Sequence, residues 1–393
     1  MKRGQPALRL KRGRDAARNH PWIFKGDVAD VSDVEPGAAV TVVDSAGRFV
    51  GRGFYNPRPA LCCRVVTWAD EPLDSALLER RLRSAVALRA RGASDGPPAL
   101  GRLVWSEADG LPGLVVDRYG PVLIVQCLTL GMARVRAAIA DALARLLDDA
   151  PVFAADEDAA ARLEGFEVVR GWIRGAGPET VEVDEDGVRF AVTLGTGHKT
   201  GLYLDQRENR VRIAGLAAGR DVLDAFCYTA GFAGHALRGG ARRAVCIESS
   251  PEAITAARRN LALNGLAARA EIQAVNVFDE LRRLERAGAR FGVIVLDPPP
   301  FARSRSAIPA ASRGYKEINL RALRILEPGG HLLTFSCSHH VSDSLFEDIC
   351  REAAADAHLR PRVVAHLTQS PDHPVLLNVP ETHYLKGLHL QLP

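Results

Sequence analysis

The stretch Asp221-Val222-Leu223-Asp224-Ala225-Phe226-Cys227-Tyr228-Thr229-Ala230-Gly231-Phe232 decides how the second half of the chain reads. An apolar run of strand length ends on an acid, and a turn of small residues leads into a helical pattern. Outward from it the pattern repeats. Apolar runs at 244–247, 271–274, 293–296 and 331–335 alternate with stretches of helical spacing. This alternation predicts an α/β fold with a doubly wound, mostly parallel sheet from about Arg220 onward. Ligands of such sheets lie beyond the carboxyl ends of the strands, so the residues just after each run are the informative ones.

The turn after Asp224 lacks the G-x-G-x-x-G that lets a pyrophosphate approach the backbone and a helix N-terminus. A cationic, phosphate-free nucleoside cofactor fits better. Asp224 and the turn, Phe226 and Tyr228 included, would then lie near its amino-acid portion. Glu248, at the end of the second run, is placed to accept hydrogen bonds from both ribose hydroxyls. Asn276 follows the third run with an amide able to read an adenine edge, and Asp279 is a second candidate for that work. The fourth run ends in Asp297-Pro298-Pro299-Pro300-Phe301. Each proline locks its own φ and restricts its predecessor, so the turn would hold a carboxylate and carbonyls stiffly against a planar substrate. The plain alternative is a rigid loop with no chemical role. The fifth run leads into Ser336-Cys337-Ser338-His339-His340, where a cysteine stands among polar residues. A lone cysteine is usually a small buried hydrophobe, but burial is not the obvious reason for one here. The two histidines would assist thiolate formation or cap the next helix. Adjacent histidines rarely converge on one ion, so no metal is expected.

The first half reads differently. Residues 40–43, 49–54 and 62–66 are short β-rich stretches separated by turn signals, which predicts a small β domain over 1–69. Trp22 and Phe24, in His20-Pro21-Trp22-Ile23-Phe24, either stack on bases or belong to the core. Leucines at 73, 77, 78 and 82 followed by Val86 predict a helix within Asp70–Gly92. Hairpins at 113–130 and 181–194, with a helix over 132–147 between them, predict an α+β domain over 70–185. The sheet domain takes 186–393.

At 393 residues the chain is too long for one ordinary core, and 47% hydrophobic with 25% charged residues excludes a disordered chain. The net charge is only +4. Its distribution says more: Lys2, Arg3, Arg9, Lys11, Arg12, Arg14, Arg18 and Lys25 face only Asp15, Asp27 and Asp30. That cluster is either a nucleic-acid contact or a solvated basic terminus. Seven scattered cysteines in no zinc or disulfide spacing predict reduced thiols. No signal-peptide pattern and no apolar run of roughly 20 residues are present, so a cytoplasmic protein without a membrane partner is expected.

These residues resemble the bacterial ribosomal large-subunit RNA cytosine-5 methyltransferase I family over essentially the whole chain. The likeness rests on His20–Phe24 with Glu35-Pro36-Gly37, on Asp109-Gly110-Leu111-Pro112-Gly113-Leu114, and on Thr200-Gly201-Leu202-Tyr203-Leu204-Asp205-Gln206-Arg207. To these add the Asp224, Asp297 and Cys337 segments and Glu381-Thr382-His383-Tyr384-Leu385-Lys386-Gly387-Leu388. The resemblance implies a PUA-like N-terminal domain, a central α+β domain and a Rossmann-like class I methyltransferase sheet. It also implies S-adenosylmethionine as cofactor, large-subunit ribosomal RNA as partner, and Gln206 and Arg207 close to the cofactor. A homodimer is left open. Two positions depart from the family pattern: Pro300 stands where a lysine is expected, and Asn276 where an acid is common.

The chemistry this implies begins with a Cys337 thiolate adding to carbon 6 of cytosine, which makes carbon 5 nucleophilic. Asp297 would hydrogen-bond the N3/N4 edge. The turn holds no second cysteine, so another base must take the carbon 5 proton, and Lys316 or Tyr315 is the candidate. The competing expectations are an amino-group methyltransferase acting on adenine or guanine, with Phe301 stacking on the base, and a non-catalytic RNA-binding protein with a degenerate methyltransferase domain. A nicotinamide oxidoreductase is disfavoured by the missing glycines.

Overall fold

A computed structural model describes residues 6–13, 20–90, 96–195 and 201–393. Lys2, Arg3, Arg14, Asp15 and Arg18 of the basic cluster lie outside the described residues, as do Gly92 and Thr200. The chain divides into two compact units. One is Met1–Val181 with Thr193–Gly201 and Asp372–Thr382; the other is Glu182–Val192 with Leu202–Pro371 and His383–Pro393.

The first unit opens with a six-stranded sheet of β1 (Ala7–Leu10), β2 (Trp22–Phe24), β3 (Val28–Val31), β4 (Ala39–Val43), β5 (Phe49–Tyr55) and β6 (Leu61–Thr67), in the order β2-β6-β5-β4-β1-β3. Leu8, Val40, Val42, Cys63 and Val65 fill its core. Trp22 is neither fully core nor free. Its indole N–H donates to Glu107 at 2.8 Å, and the Arg64 guanidinium lies over its ring. Phe24 is exposed. Arg9 pairs with Asp30 at 3.3 Å, and Lys11 donates to the Gly26 carbonyl.

The predicted helix after this sheet is α1 (Ser75–Arg89). It starts where the Asp74 carboxylate accepts from the Leu77 N–H, a stronger start signal than the leucine spacing alone. A five-stranded sheet follows, made of β7 (Leu100–Trp105), β8 (Leu114–Tyr119), β9 (Val122–Cys127), β10 (Val152–Ala155) and β11 (Arg170–Arg174), in the order β11-β10-β9-β8-β7. The helix expected over 132–147 is two, α2 (Leu130–Arg134) and α3 (Arg136–Leu146), broken at Val135. A short α4 (Asp158–Glu164) precedes β11. The hairpin expected over 181–194 is formed by β12 (Thr180–Glu185) and β13 (Val188–Thr193).

The second unit contains α5 (Arg207–Ala214), β14 (Asp221–Ala225), α6 (Gly231–Arg238), β15 (Arg243–Glu248), α7 (Pro251–Leu263), β16 (Ala270–Ala274), α8 (Val277–Arg286) and β17 (Phe291–Leu296). It continues with α9 (Ile308–Arg324), β18 (Leu326–Ser336), α10 (Asp343–Asp356), β19 (Arg362–Thr368) and β20 (Lys386–Gln391). The sheet order is β16-β15-β14-β17-β18-β20-β19. The first five strands are parallel, and β20 runs antiparallel to both β18 and β19. Every residue of β17 is buried, as expected for a central parallel strand covered on both faces. Strand order reverses between β14 and β17, so their carboxyl ends flank the crevice where such sheets take ligands. Asp224 and Asp297 stand on its two sides. The α/β class, the small N-terminal β domain and the doubly wound sheet are as the sequence led one to expect.

The segment before this sheet is anchored by a buried ion pair. One edge of the Arg210 guanidinium, Nε and Nη2, donates to the two carboxylate oxygens of Glu185 at 2.6 and 2.7 Å, and Nη1 donates to the Tyr203 carbonyl. Removing one partner would strand the other as a buried, uncompensated charge. Arg210→Ala is expected to cost about 3–5 kcal/mol of unfolding free energy in a urea titration. A loss below about 1 kcal/mol would contradict that anchoring role.

Candidate active site

The turn after β14 does without glycine, and the backbone shows how. Phe226, Tyr228 and Ala230 all adopt left-handed φ values, 66°, 50° and 61°. Three non-glycine residues in this region within five positions store of order 1–3 kcal/mol each, and such strain concentrates at functional sites. The turn survives because its surroundings hold it. Tyr228 N–H donates to Glu248 Oε2 at 3.1 Å, Ala233 N–H donates to Asp224 Oδ2 at 2.9 Å, and Cys227 N–H donates to the Ile247 carbonyl at 3.0 Å. Tyr203 meets Tyr228 edge-on, with ring centroids 5.0 Å apart.

Asp224 is fully buried, and its second oxygen, Oδ1, has no hydrogen-bond partner. Burial pushes its pKa up to about 7, with the nearby Asp297 and Glu248 adding to the rise and the Ala233 bond opposing it. A second orphan lies on the segment leading into α5. Gln206 is buried, its Oε1 accepts from Asn209 at 2.6 Å, and its Nε2 is unpartnered. An unmet acceptor and an unmet donor, both buried, ask for a ligand with a cationic and an anionic end. The amino-acid moiety of S-adenosylmethionine has both, so the residues present fit that cofactor. The Glu248 carboxylate also accepts from Ser249 and Ser250 N–H groups at 2.7 and 2.9 Å, which fixes its orientation at the strand end.

An ammonium ligand at Asp224 would favour the ionised carboxylate. Cofactor affinity is therefore expected to tighten about tenfold between pH 5.5 and 7, a range where an ordinary carboxylate is already fully charged. Calorimetry across that range checks it, with Asp224→Asn giving weaker and pH-independent binding; a flat wild-type profile would contradict it.

The other cofactor candidates are placed unevenly. Asn276 caps α8, its Oδ1 accepting from Phe278 and Asp279 N–H groups, which leaves only its amide NH2 for a ligand. Arg207 is not brought to the strand ends by its side chain. Its guanidinium is bonded to Asp186 in the β12–β13 turn, at 3.0 and 3.3 Å.

Across the crevice, Cys337 sits just past β18 with its thiol 3.8 Å from the Pro298 carbonyl, so the cysteine and the proline turn meet. It is half-buried, whereas Cys62, Cys63, Cys127, Cys227, Cys246 and Cys350 are all buried. The flanking serines are held from below. Tyr315 is fully buried on α9, and its hydroxyl bonds both Ser336 Oγ at 3.0 Å and Ser338 Oγ at 2.9 Å. Burial pushes this phenol's pKa up, so Tyr315 supports the Cys337 loop but is ill suited to act as a base.

Lys316, the next residue on α9, is not brought to Cys337. Its ammonium pairs with Glu352 and Asp356 at 3.2 and 3.0 Å, which engages the group expected to take the carbon 5 proton. The histidines do not cap the following helix either: Ser342 does, accepting from Leu345 N–H, and His339 lies over the Tyr384 ring. Phe301 is packed among Phe226, Phe278 and Tyr315, with centroids 6.3, 5.8 and 4.6 Å away.

The reading of the sequence missed two neighbours of this centre. Tyr203 is one; burial raises its phenol pKa, with the charges of Asp297, Asp205 and Cys337 among the causes. Lys386 is the other, a buried ammonium on β20. The available signal for it was a lysine opening a strand whose residues alternate around Leu388 and Leu390.

Among the described residues no group of acids, histidines and cysteines is arranged to hold a metal ion, and no helix is long and apolar enough to cross a membrane. Residues 104–386 match the family model of S-adenosylmethionine-dependent methyltransferases, and residues 8–68 match a PUA-like domain. The ribosomal RNA large subunit methyltransferase I of Klebsiella pneumoniae strain 342 is 41% identical over 389 residues, covering 97% of each chain. Among solved structures, a SAM-dependent methyltransferase from Streptococcus mutans superposes with a TM-score of 0.84 at 19% identity, covering 98% of this chain and 100% of that one. A methyltransferase solved with SAH gives 0.85, also at 19% identity, over 98% and 99%. These two likenesses speak for the fold.

Proposed function

We propose, since the chain belongs to the family of ribosomal RNA large subunit methyltransferase I, that it methylates carbon 5 of a cytosine in large-subunit ribosomal RNA with Cys337 as covalent nucleophile. S-adenosylmethionine is its cofactor and supplies an electrophilic methyl group when bound. Asp224 and Gln206 would hold its amino-acid end, Glu248 its ribose and Asn276 its adenine. Phe226 and Tyr228 shape the turn beneath it, and Arg207 braces the neighbouring hairpin through Asp186.

The observation that carries the reading is Cys337: the half-buried thiol at the end of β18, against the rigid turn that begins with Asp297. Its thiolate would add to carbon 6 of the cytosine, leaving carbon 5 enamine-like and able to accept the methyl group. Loss of the carbon 5 proton and expulsion of the thiolate then restore the ring. Cysteine suits both steps because it attacks well and leaves well. Asp297 would bond the N3/N4 edge and favour the protonated ring during attack. The target carbon is shielded in a stacked helix, so the base must be unpaired or extruded.

We assign the RNA grip to residues 1–69, the central domain to 70–185 and the chemistry to 186–393. Grip through basic side chains would weaken with salt. A ribosomal RNA substrate places this work in the cytoplasm, and a homodimer is not required by it.

The amino-group reading needs an aromatic ring presented to a purine. Phe301, the candidate, is engaged with three other rings, which favours the cytosine reading. The test is methylation of ribosomal RNA with labelled cofactor, followed by digestion to nucleosides. The label is expected in 5-methylcytidine; label in a methylated purine would overturn the proposal.

A further inference from the structure

Lys386 lies at the first position of β20, opposite Ser336 in the antiparallel pairing with β18. It therefore abuts the segment Ser336-Cys337-Ser338 from the side away from the proline turn. Its ammonium donates to the Ser338 carbonyl at 2.9 Å. Only 4% of the residue is exposed, and among the described residues no carboxylate forms an ion pair with it. One neutral carbonyl is poor compensation for a buried ammonium, which normally has an anionic partner.

The groups facing this spot are few. Asp343 on α10 is the stronger of the two negative groups acting on Lys386; it is also bonded to His383 at 3.0 Å. Asp297 and Tyr203 lie on the crevice side, Tyr315 lies beneath, and His339 covers Tyr384. The remaining group within electrostatic reach of the ammonium, and able to become an anion, is the Cys337 thiol.

We propose that Lys386 is a positioning residue whose buried ammonium holds Cys337 in its thiolate form and fixes the loop that presents it. The inference deepens the cytosine reading and rests on it for its place in the reaction. The charge arrangement can, however, be tested without substrate. On ionisation the thiol proton goes to solvent, Lys386 keeps its own proton, and the products are a thiolate and an ammonium side by side. Burial opposes the ammonium, and the charges of Asp343 and of the thiolate offset that cost. When the thiolate has added to cytosine, the ammonium loses its anionic partner, so Lys386 also favours the later expulsion of Cys337.

The experiment is the pH dependence of iodoacetamide alkylation at Cys337 in the full chain, read by mass spectrometry of that peptide. The other six cysteines are buried, so they should react slowly. The wild-type midpoint is expected clearly below about 8.5, the ordinary thiol value. In Lys386→Met, which is close in volume, the midpoint should rise by about one pH unit or more. The rate at pH 7 should fall about tenfold. Lys386→Arg, which keeps the charge, should stay within about half a unit of wild type, a rescue that a merely structural role would not produce.

An unchanged midpoint in folded Lys386→Met, or Lys386→Arg behaving as Lys386→Met does, would overturn the proposal. If Lys386→Met does not fold, the wild-type midpoint decides alone: at or above about 8.5 it refutes the proposal, and clearly below it supports it. Product analysis of Cys337→Ala run in parallel keeps the two ideas apart. Methylation surviving in that variant would sink the cysteine mechanism and leave the alkylation comparison standing.

Discussion

Cys337→Ala is expected to lower 5-methylcytidine formation by at least about 10³-fold while leaving cofactor affinity unchanged within about twofold. The loss is large because carbon 5 of cytosine has little nucleophilicity until a group adds to carbon 6. No other thiol is positioned to replace Cys337, since Cys227 and the rest are buried. The fold should hardly notice. The side chain is small and half-buried, and its hydrogen-bond contact to the Pro298 carbonyl is long, at 3.8 Å, so stability should change by less than about 1 kcal/mol. Single-turnover methylation, calorimetry with the cofactor and a thermal melt check the three parts. Retained turnover with a native melt would transfer the chemistry to Asp297 and its proline turn alone.

Asp297→Asn should reduce kcat by about 10²–10⁴-fold with a much smaller effect on KM. The amide keeps the shape of the carboxylate and can still contact a base edge, so binding survives. What disappears is the negative charge that favours the protonated ring as the thiolate adds. A second consequence has a fixed sign. Asp297 is one of the charges that push Asp224 toward neutrality, so its removal should let Asp224 ionise at lower pH. The pH-dependent gain in cofactor affinity should then move to lower pH in the variant. A KM effect with kcat unchanged would mean that Asp297 only binds substrate.

The strand ends were legible because a parallel sheet writes itself as apolar runs, and the acids at 224, 248 and 297 interrupt those runs where the strands stop. What stayed hidden depended on the third dimension. Lys316 and Tyr315 are neighbours in sequence, yet the rotation of about 100° per residue along α9 sends the tyrosine under Cys337 and the lysine to Glu352 and Asp356. Lys386 is far from Cys337 in sequence and reaches it only because β20 returns antiparallel beside β18. Antiparallel return strands have no crossover helix to announce them, and their partners cannot be read from periodicity. Arg207 was placed beside the cofactor together with Gln206 by family resemblance, but consecutive residues at a helix start point in different directions, and its guanidinium bonds Asp186. The turn after Asp224 hid its nature differently: its left-handed positions carry Phe, Tyr and Ala, where sequence reading looks for glycine.

The most direct test of the covalent mechanism uses ribosomal RNA carrying 5-fluorocytidine at the site of methylation. Fluorine at carbon 5 cannot leave as a proton does, so the step that frees Cys337 is blocked once the methyl group has been transferred. Incubation with cofactor should give a denaturation-resistant protein–RNA adduct whose mass includes the transferred methyl group and whose linkage maps to Cys337. The adduct should be absent without cofactor and absent in Cys337→Ala. Methylation of the natural RNA at cytosine, with no adduct on the fluorinated RNA or with the linkage at another residue, would contradict the account.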